Sequence, residues 1–495
     1  MFKKVISVIS AVVMLSASLV GCSKTEDVAS GGIPKVYIYM NNGAASDSTS
    51  NPADLEKIKQ KIIEEAGIEP VILSGSAGAE AEKLNVVLAS GQELDIFWGE
   101  WSDYSGKNMI TPINDLLEKH GKNILAQLSE DMWTGAKDNE GNIWGIPRTS
   151  ATMGYPVFVR SDWLEKYGLE APTTVAELEN VMKVFKENDP AGNNTTIPVV
   201  IQTAGMEKGL SAAFTGKGYG NYLDEDGKVK PSVLHPGYKT LVETMARWYK
   251  NGYINKEGFT MDTARIREYI KQGKVGIHME WYSNVTLFTP DMQLNNPDAD
   301  YVMTVIKENG VNAQSHLSPS QKSLLITKRS KNAENAMKLI DWAYSSLENY
   351  NILAYGLEGE HFNYVDEART EVEIVNPDKK VYCGDFNFAL GVMENKALEE
   401  RKDRNMHQEY IVNNLYNYEN ATKVFDYGVV YDSDVLAEQI PMMSDIERMV
   451  DEELIKFITG TKDMSQWDAF IEGLYGIGLD TYIDVYTEQY NANKK

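Results

Sequence analysis

"KVYIYMNNGAASDSTSNPADLEKIKQKIIEEAGIEPVILSG", residues 35–75, is the stretch on which the fold reading turns. "KVYIYM" reads as a strand and "NNGAASDSTS" as a loop. A helix then opens at Asn51 with Pro52 in its first turn and closes at Gly67. Leu55, Ile58 and Ile62 share one face of that helix, with Ile63 beside them. "EPVILSG" (69–75) is a second strand. Downstream, "AEAEKLNVVLASG" (79–91) is a second helix with Leu84, Val87 and Leu88 inward, and "LDIFWGE" (94–100) is a third strand. Strand, helix, strand, helix, strand with short links predicts a parallel α/β sheet. Ligands of such sheets sit beyond the carboxyl ends of the strands. Those ends carry "NNG", "SGS" and "WGEW".

The head of the chain has a different character. Lys3 and Lys4 precede an apolar run from about Val5 to Val20, interrupted by serines and followed by small residues. That is the order of an export signal, and the run is short for a membrane-spanning helix, which needs roughly 20 apolar residues. "Leu19-Val20-Gly21-Cys22" resembles the bacterial lipoprotein box, which implies a signal peptide over 1–21, acylation of Cys22 and a polar tether over 22–32. The second of the two cysteines, Cys383, is then left without a disulfide partner, so the core alone must hold the exported chain together. Removing residues 1–21 takes away two lysines and moves the formal charge from −24 to −26. A surface that acidic excludes nucleic acid and anionic lipid as partners. At 495 residues the length suits two to four domains or one large bilobal unit.

A third block reads "NIWGIPRTSATMGYPVFVRSDWLEKYGLEAPTTVAELENVMKVFKENDPAGN" (142–193). Thr174 followed by Glu177 is a capping box, and Val175, Leu178, Val181, Met182 and Phe185 mark the buried face of the helix it opens. The "G-I-P" turn and "VFVRSDWLEKYGLEAPTT" resemble the extracellular solute-binding lipoproteins of carbohydrate ABC importers. "YKNGYI", "QGKVGIHMEWYSN", "WAYSSLENYNILAYGLEGEHF" and the C-terminal "QWDAFIEGLYGIGLDTYIDVYTEQY" extend the resemblance, in order, over most of the mature chain.

The resemblance implies two α/β lobes joined by crossing hinge strands, with residues 33–148 and 283–343 in the first lobe and 149–282 and 344–495 in the second. Crossings are expected near Gly145–Tyr155, Gly276–Trp281 and Trp342–Leu347. It implies a monomer on the extracellular face of the membrane, held there by the lipid on Cys22, that captures an oligosaccharide and delivers it to the permease subunits of an importer.

Sugar rings present apolar faces to aromatic side chains and hydroxyl rims to polar ones, so a carbohydrate cleft needs both kinds together. With 27 Tyr and 9 Trp in the chain, the candidates at expected cleft positions are Trp98, Glu100, Trp101, Trp144, Arg148, Tyr155, Glu280, Trp281, Tyr282, His361 and Asp385. Trp133, Trp163, Trp248, Trp342 and Trp467 are expected in the cores. "DPAGNNTTIP" (189–198) resembles the family's calcium loop, with Asp189 and Asn193 matching. Ala191 stands where a ligand should and the acidic end is missing, so a structural loop without a metal is expected.

An exported glycan-degrading enzyme would share the aromatics and carboxylates, but with 72 acidic residues a catalytic pair can always be nominated. The chain has no H-E-x-x-H, no G-x-S-x-G and no P-loop. A binding protein without catalytic residues is the expectation. A peptide or other solute in the same fold, or a surface adhesin, are the alternatives.

Overall fold

In the computed structural model the first helical and extended segments form where the hydrophobic pattern puts them. The model describes residues 32–40, 52–74, 80–128, 130–147, 155–259, 261–280, 289–308, 311–312, 316–317, 322–365, 367, 369, 372–375 and 422–494. The chain divides into residues 1–33 and residues 34–495, and the fold that follows is that of the second unit.

Among the described residues nine strands build the two largest sheets: β1 (Lys35–Met40), β2 (Glu69–Ser74), β3 (Ile96–Glu100), β4 (Ile146–Pro147), β5 (Val157–Arg160), β6 (Ile197–Val200), β7 (Val275–Met279), β8 (Tyr301–Thr304) and β9 (Lys322–Ile326). The first sheet has the order β2-β1-β3-β9-β4, and the second β8-β5-β7-β6. β1 is parallel to β2 and β3, while β9 runs antiparallel to β3 and β4.

Each sheet is covered on both faces, as the two-residue alternation of strand side chains requires. Ile38, Ile96 and Leu324 enter one core with Ile58 and Ile62 of the helix Pro52–Ala66. Their neighbours Tyr39, Phe97 and Leu325 enter another with Leu84 and Val87 of the helix Glu80–Ser90. In the second sheet Val157 and Val159 face the large core of the helices Val175–Asn188, Pro236–Lys250 and Met443–Thr459, and Phe158 faces the opposite side. Thr174 caps the first of these helices with its reciprocal Glu177, as expected. Trp133, Trp163, Trp248 and Trp467 are buried, and Trp342 packs half-buried on the first lobe's core.

Two expected crossings are corrected. Gly276–Met279 is the interior of β7, and the chain returns to the same sheet at β8, whose Thr304 pairs with Val157. The second lobe therefore keeps residues 289–304, which had been placed in the first. Trp342–Leu347 does not leave the first lobe either, because Tyr344, Tyr350, Leu353, Tyr355 and Phe362 remain in its core. The C-terminal helices Met443–Thr459, Trp467–Gly476 and Leu479–Asn493 pack in the second lobe's core. Among the described residues no helix is long and apolar enough to cross a membrane.

Candidate functional site

The strand register shows where the lobes meet. β1, β2 and β3 end at Met40, Ser74 and Glu100, and the antiparallel β9 begins opposite Glu100 at Lys322. β4 ends at Pro147, paired with Ser323, so it finishes at this same edge. In the second sheet β7 ends at Met279 beside the start of β5 at Val157, and β8 ends there at Thr304. The chain leaves the first edge at Pro147 and enters the second at Val157. It leaves the second at Thr304 and re-enters the first at Lys322. Both connections thus run from one carboxyl edge to the other.

On the first edge, Trp98 is half-buried against the core and Glu100 is exposed, 3.7 Å from the Lys322 ammonium. Trp101 corrects the sequence reading. It is 5% exposed, its Nε1 donates to the Gly135 carbonyl at 2.7 Å, and its ring stacks on Trp144 at 5.9 Å and 8°. The cause is local: the chain turns helical at Trp101 (φ −63°, ψ −31°) immediately after β3, which carries the side chain back into the core. Trp144 is half-buried and donates through Nε1 to Asp138 Oδ2 at 2.9 Å. Burial works against the Asp138 carboxylate, but bonds from Asn142, Trp144 and the Glu140 amide outweigh it and hold its pKa below the usual value. Gly145 is needed beside it, because a Cβ there would stand 2.6 Å from Ser323 Cβ and 2.8 Å from the Leu324 carbonyl.

His361 is also withdrawn, at 4% exposure. Its Nδ1 accepts the Leu357 amide at 2.9 Å, so the neutral ring carries its proton on Nε2, 3.9 Å from Asp54 Oδ1. Asp54, Glu360 and His361 stand close enough to suggest a metal site. The tautomer argues against one, because the only nitrogen aimed at the carboxylates is protonated, and Lys57 already pairs with Glu360.

The second edge is assembled from more distant parts of the chain. Glu280 follows β7, and the Arg267 guanidinium holds it through Nε at 3.0 Å and through a second bond from Nη2. Tyr155 precedes β5, its hydroxyl pKa raised by burial and then by the Glu280 charge. The Lys208 ammonium lies 5.2 Å from the Tyr155 ring and 5.9 Å from the Tyr219 ring. The helix Thr203–Thr215 reaches this edge because Gly205 and Gly209 face β7. A Cβ on Gly209 would meet the Met279 sulfur at 3.0 Å and the Tyr155 carbonyl at 3.3 Å. Lys208, Tyr219 and Arg267 were not foreseen. The Gly205-x-x-x-Gly209 spacing was the one sequence signal of a helix packed tightly on a strand end.

The Asp189 loop does not fit a calcium ion. Asp189 Oδ2 accepts the Asn194 amide at 2.7 Å and Oδ1 the Thr196 amide at 3.1 Å, while Thr196 Oγ1 accepts from Ala191. The loop's oxygens are directed at its own donors, led by Thr196, and these lower the Asp189 pKa. Asn193 lies in this loop in the left-handed region, at φ +58°. Cys22, Arg148, Trp281, Tyr282 and Asp385 lie outside the described residues.

Two α/β lobes joined at the carboxyl edges of their sheets suit a solute-binding protein, and the chain belongs to the family described as bacterial extracellular solute-binding protein, which matches residues 46–346. It is 24% identical to the fructooligosaccharide ABC transporter substrate-binding protein FusA of Streptococcus pneumoniae serotype 4, over 91% of this chain and 90% of that one. It is 25% identical to lipoprotein LipO of Bacillus subtilis, over 72% and 73%. The crystal structure of the N-glycan transport solute-binding protein NgtS of Streptococcus pneumoniae superposes with a TM-score of 0.70 at 20% identity, covering 93% of this chain and 98% of that one.

Proposed function

We propose that this chain captures an oligosaccharide between the carboxyl edges of its two sheets and hands it to the permease of an ABC importer. The observation that supports this reading is the pair of edge-to-edge connections, across which we propose that Trp98, Glu100 and Trp144 face Tyr155 and Glu280. Rings beside carboxylates suit a sugar, whose C–H faces stack and whose hydroxyls donate. The relatives named above for fructooligosaccharide and N-glycan transport support the same cargo class. Arg148, Trp281, Tyr282 and Asp385 are proposed to complete the site. Hinge closure on cargo follows from its greater affinity for the closed state.

Cys22 is proposed as the lipid attachment point. Its two-chain anchor would hold a monomer at the outer face of the membrane, as two chains are about what stable anchoring requires. The signal segment 1–21 is removed in this reading, and the protein binds its cargo without altering it.

The test is a thermal-shift screen of residues 23–495 against neutral and acidic oligosaccharides, peptides and other solutes. Sugar at about 100 times its dissociation constant adds roughly 2.7 kcal/mol to native stability. A shift with one glycan series, recovered unchanged, is the expected result. A shift with peptides alone overturns the cargo, and a degraded glycan overturns the binding-only role.

A further inference from the structure

Against Tyr219 lies a cavity of about 260 Å³. Tyr219 and Asn221 form one wall, Phe425, Asp426 and Tyr431 a second, and Tyr486 of the helix Leu479–Asn493 closes it. Its volume falls just below the roughly 300–1,000 Å³ of whole-ligand pockets, a size for one ring rather than a chain of rings.

The walls are held in place by one another. Tyr486 packs on Tyr482 at 4.4 Å and on Tyr431 at 5.3 Å, Phe425 packs on Tyr490 at 5.5 Å, and the Tyr482 hydroxyl donates to Asn221 Oδ1 at 3.0 Å. The Tyr431 hydroxyl is buried beside the Asp426 carboxyl with no hydrogen-bond partner of good geometry. Burial raises the Asp426 pKa, and its carboxyl oxygens can accept from sugar hydroxyls. Among the described residues that line the cavity none is a lysine or arginine. Lys208 connects the cavity to the second edge, with its ammonium over both Tyr155 and Tyr219.

We propose that this cavity is a terminal subsite, in which Tyr219, Tyr431 and Tyr486 enclose one neutral sugar ring while Asp426 and Tyr431 bind its hydroxyls. The proposal rests on the oligosaccharide reading above and adds to it that the cargo must present a free end. Oligosaccharides long enough to span from Tyr155 past Tyr219 gain this contact, and shorter ones do not.

The test uses titration calorimetry with a ladder of two to six rings, taken from whichever neutral glycan series gives the largest thermal shift. The protein carries Asp426→Asn or Tyr431→Phe, and melting curves show that each variant is folded. If one variant fails to fold, the other makes the same comparison. The expected result is a loss of about tenfold or more for every ladder member above a threshold length, and under about twofold below it. An equal loss at all lengths, or no loss at any, overturns the subsite and leaves the oligosaccharide reading standing. If no neutral glycan binds the unmutated protein the subsite falls, and the oligosaccharide reading falls with it only when acidic glycans fail to bind as well.

Discussion

The two carboxyl edges are made of similar residue types and behave differently. On the first, Trp101 and Trp144 stack on each other and direct their indole N–H groups to Gly135 and Asp138, so much of their surface is committed to the fold. On the second, Tyr155 and Tyr219 flank a lysine, and Glu280 is oriented by an arginine from another helix. An aromatic near a strand end is therefore not enough to mark a ligand contact. Burial separates Trp101, a core ring, from Trp144, whose half-buried ring keeps a face free of the core.

The sharpest way to break this contrast is to truncate one ring from each edge. Trp101→Ala empties a packed position and should cost about 3–5 kcal/mol of stability, read by chemical denaturation, with glycan affinity of the folded protein changed by less than about twofold. Tyr155→Ala should do the reverse, with a loss of about 2 kcal/mol in binding and a small change in melting temperature. If Trp101→Ala removes binding while stability holds, the assignment of the two edges is inverted.

Arg267→Met sharpens the second edge further. Glu280 has only 15% of its side chain exposed and would lose its charged partner, while Arg267 is 36% exposed and partly screened. A cost of about 1–2 kcal/mol in stability is expected, below that of a fully buried pair. Glycan affinity should fall as well, because the Glu280 carboxylate is no longer oriented. Retained affinity would show that Glu280 does not touch cargo.

Local signals made the first lobe legible. Strand Lys35–Met40, helix Pro52–Ala66 and strand Glu69–Ser74 stand where alternation, Pro52 and Gly67 put them. The crossings were less legible, because which strand a four-residue run such as "YVMT" joins depends on partners far away in the chain. Tyr301–Thr304 pairs with Val157–Arg160 across more than a hundred residues, and nothing local announces it. Trp101 was misread for a related reason, since "WGEW" does not show that the chain turns helical at its last residue. Lys208 and Arg267 sit inside amphipathic helices, where a cation reads as ordinary solvent-facing surface until the fold brings it to the strand ends.

The smallest expected effect lies directly under the second edge. His278, on β7 two residues before Glu280, is stacked on Phe158 at 4.7 Å and meets Tyr301 edge-on at 4.8 Å. Burial, followed by the Arg267 charge, pushes its pKa down to about 3. A histidine with a depressed pKa contributes its full share of stability above about pH 6.5 and loses it as the pH falls toward the folded-state value. The loss should reach about 1 kcal/mol by pH 6 and steepen to about 1.4 kcal/mol per pH unit below that. His278→Asn should be less stable at pH 7.5 but show a flatter decline between pH 7 and 5 in denaturation experiments. Arg267→Met should keep the onset of the decline but let it level off at a slightly higher pH, since removing a positive neighbour raises the folded-state pKa of His278. An unchanged acid slope in His278→Asn would assign the acid sensitivity elsewhere, and Glu207 is not the source: burial raises that carboxyl's pKa, so its contribution grows as the pH falls.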